Sequence, residues 1–243
     1  MKDTERVVIY RCEDGIAHLT LNRPRQINAF NVQMRDELFE TLCLFQDDPN
    51  AKVGLLRGGG ERGFCAGADL TEFGTAPSQV IARSVRWERD LWGLFRELRK
   101  PIIASLHGYV IGSGIEIAAL CDIRIASDDC KFRMPEIALG MIPAAGGTQT
   151  IARLVKASNA LDIILTNRLI FSEQARKIGL VDRVVAVSEL TDKSKELAKA
   201  LSQMDPKVVA AAKRAVIEGS DLELKAGIQL ESRMAHILES QKR

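Results

Sequence analysis

Neither sign of charge dominates this chain: 34 lysines and arginines stand against 32 aspartates and glutamates, leaving a net charge of +2 over 243 residues. Coating nucleic acid or binding an anionic bilayer through a polybasic surface needs a field of one sign, so neither partner is expected. Histidine is scarce. His18, His107 and His236 lie far apart, none with a second ligand at helical spacing, and no metal site follows from them. The five cysteines, Cys12, Cys43, Cys65, Cys121 and Cys130, contain no Cys-x-x-Cys pair and read as free thiols of a reducing, cytoplasmic protein. No apolar run approaches the roughly 18 residues that span a bilayer. Met1-Lys2-Asp3-Thr4-Glu5-Arg6 is too polar to begin an export signal.

The chain is 46% hydrophobic and 27% charged, enough apolar content to build a core against chain entropy. Its length predicts one α/β domain with a helical appendage. Val7 to Arg11 and Ile16 to Leu21 read as a hairpin around Glu13-Asp14-Gly15. Asn31 stands where it would cap a helix whose Met34, Leu38, Leu42 and Phe45 share one face. Val53 to Leu56 reads as a buried strand, followed by a loop carrying Gly58, Gly59, Gly60, Gly63 and Gly67. Ile81, Val85, Leu91, Trp92, Phe95 and Leu98 predict a long amphipathic helix stopped before Pro101.

The rhythm then recurs. Ile102 to Leu106 is a strand, Gly108 to Gly114 a glycine-rich turn and Ser113 to Leu120 a helix; Ile123 to Ala126 and Lys131 to Arg133 are short strands. Gly140, Gly146 and Gly147 introduce helices over Thr148 to Val155 and Ala157 to Leu165, and Ser172 starts another that Gly179 closes. Beyond Ser188 only helical segments remain, at about 188–203, 206–218 and 221–240. Strands alternating with helices predict a layered α/β core with helices at its end.

Glycine turns between strand and helix have three uses. Phosphate cradling is disfavoured, since Gly112-Ser113-Gly114 is followed by Ile115, Glu116 and Ile117 without the third glycine of a dinucleotide loop. A nucleophile elbow is disfavoured too, because Ile111 and Ile115 flank Ser113 where glycines should stand. Bare backbone amides approaching a developing oxyanion fit both Ala66-Gly67-Ala68 and Gly112-Ser113-Gly114. Nearby carboxylates would complete an acid/base site. Glu116, one turn into an apolar helix, reads either as such a group or as a complement to the helix dipole, and Glu136 after Met134-Pro135 reads equally well as a solvated loop carboxylate.

Several motifs occur together: Asn22-Arg23-Pro24 with Asn28-Ala29; Phe64-Cys65-Ala66-Gly67-Ala68-Asp69-Leu70; and the run from Pro101-Ile102-Ile103-Ala104 through Gly108, Gly112, Gly114, Glu116 and Cys121-Asp122 to Phe132, Pro135-Glu136 and Gly146-Gly147-Thr148-Gln149. Jointly they resemble the enoyl-CoA hydratase/isomerase family, the crotonases, over nearly the whole chain. The resemblance implies a crotonase-type spiral of ββα repeats over 1–187, holding the CoA and catalytic site, and a C-terminal helical trimerisation region over 188–243. A homotrimer or dimer of trimers is implied. The implied substrate is an acyl-CoA thioester of fatty acid metabolism, with no metal and no cofactor beyond the coenzyme A of the substrate itself.

By the same resemblance the N–H groups of Ala68 and Ser113 form an oxyanion hole. Arg25, Gln26 and Ile27, together with Ala66, Asp69, Leu70, Gly112, Pro135 and Ala144, hold substrate and CoA, with Arg25 as a phosphate partner. Glu116 and Glu136 match the two glutamates of the hydratases and share their spacing of 20 residues. This implies syn addition of water across C2=C3 of a 2-enoyl-CoA, with Glu116 deprotonating water, Glu136 protonating C2, and the two titrating as a coupled pair. The alternatives are an isomerase, a dehydratase, a hydratase of a branched or cyclic acyl-CoA, and a non-catalytic binding subunit. Acyl specificity is assigned to Phe73 to Trp92 and to Met141-Ile142. Ser113 and Ala144 replace glycines usual in the family, and the chain stops at Lys242-Arg243, before the usual final helix, which implies a more open CoA site.

Overall fold

In the computed structural model, which describes residues 6–72, 75, 78 and 88–240, the chain begins with the expected hairpin. Asp14 and Gly15 both take positive φ, 51° and 80°, the backbone of a two-residue turn whose twist matches paired strands. They join β1 (Val8–Glu13) to β2 (Ile16–Leu21) in antiparallel register, from Val8 opposite Leu21 to Glu13 opposite Ile16. Parallel strands follow on β2: β3 (Val53–Gly58), β5 (Ile102–Leu106), β7 (Ile123–Ser127) and β10 (Arg183–Val185), giving a six-stranded sheet ordered β1-β2-β3-β5-β7-β10. A second sheet, β4 (Gly63–Cys65), β6 (Tyr109–Ile111), β8 (Lys131–Arg133) and β9 (Ile170–Phe171), runs β4-β6-β8-β9 with only its last pair antiparallel.

The pairs β3/β4, β5/β6 and β7/β8 each place consecutive strands in different sheets, and each new pair adds a parallel strand to both. Parallel neighbours require crossover connections, and helices such as Leu91–Glu97 and Ser113–Leu120 occupy them. The result is the spiral of ββα repeats that the family resemblance implies.

Two stretches predicted to be glycine-rich turn are strands instead, Gly63–Cys65 and Tyr109–Ile111. Three residues leave no alternation to detect, and Gly63 serves close approach: a Cβ there would stand 2.5 Å from the Tyr109 nitrogen. The short strands β9 and β10 likewise carry no readable period. Of the long helix predicted from Ile81, the described part is Leu91–Glu97, and Ile81 and Val85 lie outside the described residues.

Asn31 caps the helix Val32–Asp47 as expected, its Oδ1 accepting from the Met34 N–H at 2.9 Å, and Met34, Leu38, Leu42 and Phe45 are buried in the main core with Phe64, Phe95 and Phe132. The opposite face of the large sheet is covered by the helix Leu190–Ser202. Its Leu190, Ser194, Ala198 and Ser202 are buried at four-residue spacing, and Ser194 Oγ donates to Ser105 Oγ at 3.0 Å. The helices Pro206–Gly219 and Leu224–Ser240 bury only Leu230. Lys213 ties the first of them to the core, its Nζ meeting Asp122 Oδ2 at 2.8 Å and the Lys100 carbonyl at 3.1 Å.

Candidate active site

The end of β4 and the start of the helix Ser113–Leu120 meet because Gly114 allows it: a Cβ there would stand 2.8 Å from the Cys65 carbonyl oxygen. Past Cys65 the chain bends through Gly67, at φ 93°. The Phe30 N–H donates to the Gly67 carbonyl at 2.8 Å and the Asp69 N–H to the Phe30 carbonyl at 2.9 Å, a parallel bridge between Phe30 and Ala68. In such a bridge the flanking peptides face the partner, so the N–H of Ala68 faces the other way. Ser113 is the first residue of its helix, where N–H groups have no intrahelical acceptor. Ala68 and Ser113 line one cleft of about 190 Å³, which also contains Glu116 and Glu136. Two backbone donors, one at a helix N-terminus, suit an oxygen that gains negative charge.

The two glutamates reach the cleft by different routes. Glu116, 2% exposed, is fixed from across the cleft: its Oε1 accepts from the N–H groups of Ala145 at 3.1 Å and Gly147 at 3.0 Å. A Cβ on Gly147 would fall 2.7 Å from that oxygen, so only glycine lets the amide come this close. Glu136 opens the short 3-10 helix Glu136–Leu139 and is half-buried, and its Oε2 is buried without a hydrogen-bond partner. Loss of water is the main force on it and raises its carboxyl above the ordinary glutamate range. The reading of Glu136 as a solvated loop carboxylate is therefore corrected.

Of the other residues singled out from sequence, Ala66, Leu70, Gly112, Pro135 and Ala144 line the cleft, and so do Met141 and Ile142. Arg25, Gln26, Ile27 and Asp69 do not. Arg25 and Gln26 are exposed on the turn Pro24–Gln26. The Ile27 carbonyl accepts from the Ala66 N–H at 2.8 Å, and the Asp69 N–H is bonded to Phe30, so neither the Ala66 nor the Asp69 amide is free to grip a ligand. Asp69 instead pairs with Arg23 at 2.9 Å. Most of Phe73 to Trp92 lies outside the described residues. Leu139 and Ala145 also line the cleft, and nothing in their sequence context marks them; the Gly147 donor to Glu116 is foreshadowed only by its place at the start of a helix.

Cys65 sits beside the cleft, but burial pushes its thiol up to about 12, so it keeps its proton at neutral pH and is no nucleophile. Among the described residues no group of three His, Cys, Asp or Glu could hold a metal ion, and no helix is long and apolar enough to cross a membrane. A larger groove, about 700 Å³, separates Leu91–Glu97 from Pro206–Gly219. Its charges are largely paired with one another, Arg96 with Asp221 at 2.8 Å and Arg214 with Glu218 at 2.7 Å, and it gathers no acid beside free backbone donors. Chemistry, not size, locates the site.

The chain also resembles proteins already known. The family model "Enoyl-CoA hydratase/isomerase" matches residues 11–243. A Dictyostelium discoideum protein named "Probable enoyl-CoA hydratase, mitochondrial" is 37% identical over 221 residues, 90% of this chain and 78% of that one. The "Short-chain-enoyl-CoA hydratase" of Clostridium acetobutylicum is 35% identical over 236 residues, 93% of this chain and 86% of its own. The crystal structure of an enoyl-CoA hydratase from Bacillus anthracis superposes with a TM-score of 0.89 at 32% identity, covering 95% of this chain and 90% of that one.

Proposed function

The chain belongs to the enoyl-CoA hydratase/isomerase family, and from that premise we propose that it is an enoyl-CoA hydratase, adding water across C2=C3 of a 2-enoyl-CoA in fatty acid metabolism. The observation that carries the reading is the convergence of two glutamates and two outward-facing backbone amides on one cleft.

The thioester carbonyl oxygen lies between the N–H groups of Ala68 and Ser113. Glu116, held by Ala145 and Gly147, takes a proton from water as the water oxygen bonds to C3. The C2=C3 π electrons move toward the carbonyl, whose oxygen carries the developing negative charge in the hole. Glu136 then donates its proton to C2 on the same face. The product is a 3-hydroxyacyl-CoA, with H at C2 and OH at C3. Burial suits Glu136 to this role because it favours the protonated acid. Losing one donor of such a hole typically costs about 2.7–4 kcal/mol of transition-state stabilisation. An isomerase moves a proton between carbons and needs no second carboxylate clamped to receive one from water; the two amides on Glu116 favour hydration.

The assembly we propose is a homotrimer or dimer of trimers. Val216, Leu224 and Ile228 are 70%, 80% and 53% exposed on the last two helices and offer apolar surface to further copies.

The test follows the loss of conjugated-thioester absorbance with short-chain enoyl-CoAs, comparing the wild type with Glu116→Gln and Glu136→Gln. Each substitution is expected to slow turnover at least 100-fold, the scale on which general acid–base groups act, about 10²–10⁴. If neither slows any enoyl-CoA the wild type accepts, the two-glutamate mechanism is wrong.

A further inference from the structure

We infer that the Arg23–Asp69 ion pair is a positioning device that fixes the direction of the Ala68 N–H, a role that rests on the oxyanion-hole reading above. Neither side chain lines the cleft, so neither touches substrate there. Their effect passes through the backbone on both sides of Ala68.

Asp69 immediately follows Ala68, and its carboxylate is held at both oxygens. Oδ2 accepts from Arg23 Nη1 at 2.9 Å; Oδ1 accepts from Thr71 Oγ1 at 2.7 Å and from the Thr71 N–H at 3.2 Å. These bonds, Thr71 first and Arg23 next, hold the carboxyl below the usual carboxylate range, so it stays charged. The same Arg23 Nη1 donates to the Ala29 carbonyl, and Ala29 precedes Phe30. Phe30 in turn bonds through its N–H to the Gly67 carbonyl and through its carbonyl to the Asp69 N–H. Arg23 thus joins the two strands of this bridge from one end, and the peptide carrying the Ala68 N–H cannot rotate unless that bridge or the ion pair gives way.

The pair is shielded, with side chains 17% and 13% exposed, and an ion pair removed from bulk water holds its geometry better than a surface one. Orientation matters here because an oxyanion donor acts only within about 2.7–3.1 Å of the oxygen it stabilises.

The experiment binds a 3-aryl-2-enoyl-CoA, whose absorbance shifts to the red when its carbonyl is polarised, to the wild type, Glu136→Gln, Asp69→Ala, Asp69→Asn and Arg23→Lys, with kcat, KM and melting temperature measured for each. Asp69→Ala should lose much of the red shift and about tenfold or more in kcat, in keeping with the cost of small misplacements, while KM changes less. Asp69→Asn, which keeps one acceptor oxygen but turns an amide NH2 toward Thr71 or Arg23, and Arg23→Lys, which loses the planar guanidinium, should each lose part of the shift. A full red shift in Asp69→Ala overturns the inference. So does a kcat loss that only follows the unfolded fraction. If Asp69→Ala does not fold, Arg23→Lys and Asp69→Asn carry the test, and full shifts in both overturn it. Glu136→Gln separates the two readings. It should show the full shift without turnover, whereas a wild type that neither shifts nor turns over the probe sinks the hydratase reading and this inference with it.

Discussion

Glu136 Oε1 lies 2.6 Å from where a Cβ on Gly112 would stand, and Gly112 has φ 48° and ψ −115°. The acid and the helix N-terminus are therefore packed as one unit, on a backbone that only glycine adopts without strain. Gly112→Ala should displace the Glu136 carboxyl and tilt the Ser113 amide together. We expect kcat for enoyl-CoA hydration to fall by about 100-fold, in line with the cost of small misplacements, and stability to fall by about 1–3 kcal/mol from backbone strain. Steady-state kinetics beside urea denaturation check both numbers, and wild-type kcat in a folded Gly112→Ala protein would refute the coupling.

The half-buried Glu136 gives a pH signature in both activity and stability. As the proposed donor to C2 it must be protonated, so kcat should fall on the alkaline side with an apparent pKa above the ordinary value of 4.5. For stability, a carboxyl whose folded pKa is raised binds more protons folded than unfolded across that window. Its contribution is full below 4.5 and is lost as pH rises through the raised folded value. Glu136→Gln should therefore gain on the wild type in melting temperature as pH rises from 4 to 8. A constant difference between the two proteins over that range would contradict the burial argument.

Lys213 is the charged tether between the sparsely buried C-terminal helices and the sheet, its side chain 9% exposed and paired with Asp122. Lys213→Met keeps the aliphatic stem and leaves Asp122 bonded to the Ile102 N–H at 2.7 Å. Breaking one partner of a largely buried pair costs about 3 kcal/mol. Hydrogen exchange should rise over 206–240 before it rises in β3 or β5, because the first region has few buried apolar contacts of its own. Uniform protection loss over the whole chain would mean that Lys213 supports the core rather than the helices.

What the sequence made legible follows the range of the interactions involved. The helix Ser113–Leu120, the strand Ile102–Leu106 and the turn at Asp14-Gly15 are set by neighbours in the chain, and their limits could be read directly. Gly63–Cys65 and Tyr109–Ile111 could not, because their strand state comes from pairing with each other across 46 residues. The same division runs through the cleft. Glu116 and Ser113 share one helical turn, whereas the state of Glu136 depends on what covers it, and the ion-pair partner of Asp69 is Arg23, 46 residues away. Gly112, Gly114 and Gly147 each leave room for a close neighbour. Which atom that is, a carbonyl at Gly114 or a carboxylate at Gly112 and Gly147, belongs to the fold.

Asn28 offers the sharpest separation of backbone preference from hydrogen bonding. It is fully buried at φ 55°, its Nδ2 faces the carbonyls of Gly59, Gly63 and Phe64 at 3.0–3.1 Å, and its Oδ1 accepts from the Arg23 N–H at 2.9 Å. Asn28→Gly suits the left-handed backbone but leaves these groups unpaired, and buried unsatisfied groups cost about 1–3 kcal/mol each. Asn28→Ala adds about 1 kcal/mol of left-handed strain to that loss. Asn28→Asp keeps the acceptor for Arg23 but turns a carboxylate toward three carbonyl oxygens in a fully buried site. The expected order of stability is wild type, then Gly, then Ala, then Asp, read as urea midpoints at constant m-value. An Asp variant as stable as the wild type would show that the amide donors of Asn28 do not hold the segment leading into Ala66-Gly67-Ala68.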